Sequence, residues 1–133
     1  MERDLLYKSG GAVNLPEAPE WWGGSYPEYL VYWALLKLGM KGKFEYQSPR
    51  MGGSLQKGGA ILDFFIPERN LAINVQSEFY LYTTSTQIAR GELQRAQLES
   101  QGIRVVYVHE EHLMLDPVFY VREALEGREH PRF

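Results

Sequence analysis

Residues 58–82 read GGAILDFFIPERNLAINVQSEFYLY, and this stretch decides the fold. Two apolar runs, 60–66 and 71–78, flank Pro67-Glu68-Arg69-Asn70, the pattern of a β-hairpin with a four-residue turn. Pairing Ile66 near Leu71 sets Asp63 opposite Asn74. Strand alternation then puts Asn74, Gln76 and Glu78 along one side, beside Asp63. Oxygen-bearing groups thus collect inside strands otherwise built of Ile, Leu, Phe and Val. A carboxylate in that setting demands a partner, because an unpaired buried charge is costly. The partner is either a site for a ligand or a structural hydrogen bond to Asn74 or Gln76.

Working outward, Ser25-Tyr26-Pro27-Glu28 announces a helix, with Ser25 as cap, Pro27 in the first turn and Glu28 placed for a capping box. The helix should run to Leu38 and stop at Gly39. Its apolar residues cover most of its circumference, so it is expected to be buried on more than one side. Residues 44–47 suggest a short strand, and 48–59, with Gly52-Gly53 and Gly58-Gly59 around Lys57, a loop. Beyond the hairpin, Ser85 or Thr86 is expected to cap a polar helix over 87–100 that carries Ile88, Leu93, Ala96 and Leu98 and ends at Gly102. The run IRVVYV, 103–108, suits a central strand buried on both faces. Asp116-Pro117 opens a last helix that closes near Gly127. The expected architecture is α/β: a small mixed central sheet made of a strand, a hairpin and a later strand, flanked by helices. An extended arm, 1–24, precedes the domain at 25–127, and a tail, 128–133, follows it. Trp21 and Trp22 in the arm are expected to pin it to the body or to a partner chain, including a second copy, since two indoles are costly to leave wet.

At 133 residues the chain fits one domain that buries roughly two-thirds of its unfolded surface. Cysteine is absent, which excludes disulfides and thiolate metal sites and points to a reducing cytoplasm. No apolar stretch has signal-peptide or membrane-span length. The net charge of -3 argues against a general basic coat for nucleic acid. Between 29 and 62, however, Lys37, Lys41, Lys43, Arg50 and Lys57 face only Glu45 as an acid, which makes either a solvated face or a phosphate-facing rim. Arg90 and Arg95 on the polar helix have the same two readings. His109 and His112, one helical turn apart, lack further ligands for a metal and are expected in an exposed loop after the strand.

The segment 58–82 resembles the hairpin of the PD-(D/E)XK nuclease superfamily, most closely that of small phage or prophage endonuclease-like proteins. The resemblance extends over about 20–127, through GSYPEYLVYWALLKLG, FEYQ, QRAQLESQGIRVVYV and DPVFYVREALEG. It implies a restriction-endonuclease-like fold and hydrolysis of DNA phosphodiesters with Mg²⁺ or Mn²⁺. By the resemblance, Asp63 matches the metal-binding Asp, Gln76 the position usually held by Lys, and Glu28 the helical acid that many members contribute. Asn74 stands where a second metal-binding Glu is expected, and Leu81 where relatives tend to carry His. Glu78, two residues beyond Gln76, is the carboxylate that would complete the metal site with Asp63, with Gln76 orienting water. The positions for DNA phosphates are Arg50, Lys57, Lys43, Arg90 and Arg95. The alternative is a nuclease fold without catalysis that serves as a binding, structural or assembly component. Glu28 also has the simpler explanation of a capping-box residue.

Overall fold

A computed structural model describes residues 14–46, 55–57, 60–76 and 84–132, with the backbone alone for 55–57, 60 and 61. Ser25 caps helix α1 (Tyr26–Lys37) with the expected reciprocal bonds to Glu28, and Gly39 follows the C-cap at φ 79°, a left-handed turn that glycine makes without strain. Strand β1 (Glu45–Tyr46) comes next, then β2 (Leu55–Lys57), β3 (Ala60–Leu62) and β4 (Phe64–Ile66). A 3-10 turn (Pro67–Arg69) leads through left-handed Asn70 into β5 (Leu71–Gln76). Helix α2 (Ser85–Ser100), strand β6 (Arg104–His109) and helices α3 (Glu110–Leu115) and α4 (Pro117–Leu125) complete the order.

The main sheet has four strands in the order β1-β4-β5-β6. The first three are antiparallel, with Ile66 opposite Leu71, and β6 runs parallel to β5 after the crossover through α2. One face carries Phe64, Ile66, Leu71, Ile73, Val106 and Val108 against α1, α3 and α4, and this is the larger core. The other carries Phe65, Ala72 and Val105, which pack with Leu62 of β3 and with Leu98, the only buried residue of α2. Leu93 is 60% exposed and Ala96 is exposed as well, so the polar helix covers its face thinly and only near its C-terminal end.

Several expectations need correction. The loop expected over 48–59 contains β2, which pairs antiparallel with β3. The single strand expected over 60–66 is two short strands in different sheets, broken by a bend at Asp63. Helix α2 begins at Ser85 and is capped by Thr84, whose hydroxyl accepts from Gln87 N–H while the Gln87 side chain accepts from Thr84 N–H. Strand β6 lies at the edge of the described sheet rather than its centre; its apolar run reflects helices on both faces. His109 ends β6, and His112 is buried within α3 rather than in an exposed loop.

The described part of the arm, 14–24, has no regular helix or strand, yet it is held to the body. Leu15 and Trp22 pack on the main core, Tyr26 Oη donates to Pro16 O at 2.6 Å, and Trp22 stacks on Tyr46 at 5.5 Å between ring centroids. Trp21 touches Trp22 and Tyr32 edge-on and stays 44% exposed. The tail is tied down as well, with Glu129 bound to Arg95 and Arg132 to Glu111. Among the described residues no helix is long and apolar enough to cross a membrane.

Candidate active site

Glu28 owes its position to the cap of α1. Its Oε1 accepts from Ser25 N–H at 2.9 Å and from Ser25 Oγ–H at 2.8 Å. The capping role therefore occupies one carboxylate oxygen and leaves Oε2 outside those bonds. Ser25→Ala is expected to lower stability by about 1 kcal/mol, the usual worth of such a cap; urea denaturation measures it.

Asp63 is held at the bend between β3 and β4. Its backbone N–H donates to Asn74 Oδ1 at 2.9 Å, and its Oδ2 accepts from Val75 N–H at 2.7 Å. These two bonds replace rungs of the strand ladder with side-chain contacts, which is why the strand breaks there. The Asp63 carboxyl also hydrogen-bonds the Glu28 carboxyl, so a residue from the start of α1 and one from the sheet meet. Burial pushes the Asp63 carboxyl up to about 7, the charge and hydrogen bond of Glu28 push the same way, and the Val75 amide opposes them. Two acids in contact in a half-buried place hold either a shared proton or a cation.

Asn74 lies opposite Asp63, as the hairpin register requires, and its amide oxygen is already used by the Asp63 N–H. Gln76, on the same face of β5, is half-buried and lines a separate cleft, in register with His109 across the parallel pair. Glu78, Leu81 and Arg50 lie outside the described residues, as does the side chain of Lys57. Lys43 and Arg90 are exposed. Arg95 is engaged with Glu129 at 2.7 Å, with Val105 O at 2.8 Å and over the Tyr107 ring at 5.1 Å. Among the described residues no group of three or more His, Cys, Asp or Glu is arranged to hold a metal. The structure thus brings Asp63 together with Glu28 and Asn74, while Gln76 lies two residues farther along β5 in the wall of a separate cleft.

The cleft beyond Gln76 measures about 410 Å³ and lies between β5, β6 and the first half of α2. Gln87, Gly91, Glu92, Tyr107 and His109 contribute to its walls, none of which except His109 drew attention in the sequence. Alternation along β6 was the available signal, since Tyr107 and His109 fall on the face of Val105.

Behind the sheet, His112 is 2% exposed and stacks on Tyr120 with centroids 4.3 Å apart and planes 6° from parallel. His109 packs edge-on against it, and His130 bonds Glu123 at 3.1 Å. Burial lowers the pKa of both His109 and His112. His112 stacked on Tyr120 is a core element, whereas His109 at the end of β6 also lines the cleft.

No protein-family model, curated protein or solved structure matches the chain.

Proposed function

We propose that the protein is a Mg²⁺- or Mn²⁺-dependent nuclease of the PD-(D/E)XK kind, acting on DNA phosphodiesters. The contact between the Glu28 and Asp63 carboxyls is the observation that carries this reading. Two carboxylates in contact suit a small hard cation that takes one or two carboxylates and completes its shell with water. A divalent ion bound there supplies Lewis acidity to the phosphodiester. Ser25 and Val75 orient the two carboxylates by fixing one oxygen of each. Asn74 holds the Asp63 backbone through its amide oxygen, and Gln76, two residues farther along β5, is the residue proposed to orient water. Lys43 and Arg90 are exposed cations for the DNA backbone, with Arg50 and Lys57 proposed for the same role. The mixed four-stranded sheet flanked by helices is a generic α/β arrangement, and the restriction-endonuclease-like fold is part of the same proposal.

The experiment is incubation of plasmid, junction and flap DNA with the protein in Mn²⁺. Nicking is expected, and Asp63→Ala should reduce it by about a hundredfold or more, the scale of removing a group that stabilises transition-state charge. Activity that survives the substitution refutes the assignment.

A second reading is an inactive nuclease fold acting as a binding or assembly component. The reciprocal bonds between Asp63 and the 74–75 segment favour it, because they give the acid a structural task. So does the exposed indole of Trp21. No nicking, together with a fall in mass by light scattering for Trp21→Ala, is the result this reading expects.

A further inference from the structure

The cleft at the carboxyl ends of β5 and β6 has no task in the chemistry assigned to Glu28 and Asp63. Its place is the one where parallel strands joined through a helix leave a crevice for ligands. Its volume of about 410 Å³ lies in the range of small-molecule sites. Two features show that it is kept open. Helix α2 buries only Leu98, toward its far end, and carries a glycine at 91, in its interior, where a Cβ would meet nothing within 4 Å. Glycine is the poorest helix residue after proline, so this position forgoes helix stability for a thin wall.

The chemistry of the lining selects the ligand. Gln76 and Gln87 each present a carbonyl acceptor and an amide donor. Arg95 lies over Tyr107 at 5.1 Å and forms a flat wall. Its charge is met by Glu129 at 2.7 Å, and Glu92 adds a second carboxylate, so two acids line the cleft against one guanidinium. A phosphate inside would face that negative excess. A planar neutral group with an exocyclic amino donor would find acceptors, since carboxylates accept from the cytosine amino group and glutamine pairs with adenine.

We propose that this cleft receives an unstacked, amino-bearing nucleobase, cytosine or adenine, of the nucleic acid. The proposal rests on the nuclease reading and names its substrate class, a strand with an unpaired base at the site. Gln76 stands two residues along β5 from Asn74, the partner of Asp63, a span of about 7 Å. A nucleotide with its phosphate at the carboxyl pair would therefore carry its base over the cleft.

The test is saturation-transfer NMR on the full chain in EDTA, with cytidine, adenosine, uridine and ribose 5-phosphate as separate probes. Cytidine and adenosine base protons should be saturated at least several-fold more strongly than uridine, with ribose 5-phosphate silent. Gly91→Leu, which fills the cleft from a position with room, should abolish the signal while the melting temperature holds or rises. Equal saturation by all nucleosides, no saturation by any, or an undiminished signal in Gly91→Leu overturns the proposal. Asp63→Asn separates it from the nuclease reading: it should leave nucleoside binding intact while removing Mn²⁺-dependent nicking. Base selectivity without nicking in the unmodified protein sinks only the nuclease reading; nicking without base selectivity sinks only this one.

Discussion

Asp63→Asn is expected to flatten the pH dependence of stability between about pH 4 and pH 7. In the folded protein Asp63 keeps its proton up to about 7, against 3.8 as its ordinary value. Across that window the folded state therefore binds more protons than the unfolded chain, and stability falls as pH rises through it, levelling off above 7. At 1.36 kcal/mol per unit the whole shift corresponds to roughly 4 kcal/mol, an upper bound because Glu28 shares in it. The substituted amide cannot ionise, and it can still accept from Val75 N–H and donate to Glu28. Urea denaturation at pH 4.5 and 7.5 should show the variant gaining on the unmodified protein as pH rises. Subtracting the two profiles removes the contributions of other groups. Parallel profiles would mean that Asp63 is ionised in the fold at all these pH values.

His112→Phe is expected to act on the acid side with the opposite sign. Burial is the main cause that lowers the His112 pKa below 6.5; His109, His130 and Arg132 add to it, and Glu111 opposes it. Below 6.5 the unfolded chain takes up the proton first, so stability present at higher pH is lost as pH falls. The limiting slope for one histidine is about 1.4 kcal/mol per pH unit. Phenylalanine keeps the stack on Tyr120 without titrating. Denaturation at pH 7.5 and 5.0 should therefore show a smaller loss in the variant, with the remaining slope assigned to His109. An equal loss would place the titration elsewhere.

These two groups also mark where the sequence was and was not legible. The α1 cap was readable because Ser25, Pro27 and Glu28 are neighbours and their bonds are local. The hairpin register was readable because the turn at 67–70 fixes Ile66 opposite Leu71. The break at Asp63 was not, since Ala60 to Ile66 is continuously strand-like and the bonds that bend it come from residues 74 and 75, across the sheet. His112 sits in HEEH, a polar string that suggests a loop, and is buried only because Tyr120 on α4 stacks on it. Thr84 was available in the sequence: among adjacent hydroxyl residues only it has Gln87 three positions on, as a capping box needs. Of the site, the Asp63–Asn74 pairing followed from register, whereas the cleft beyond Gln76 depends on how thinly α2 covers the sheet.

The proposed function requires the Glu28–Asp63 pair to hold a divalent cation. Calorimetric titration with Mn²⁺ at pH 8, where Asp63 has lost its proton, tests it most directly. One ion per chain is expected, with binding weakened about tenfold or more in Asp63→Asn and in Glu28→Gln, since each removes a ligand charge. No measurable heat in the unmodified protein, or equal affinity in all three proteins, would contradict it.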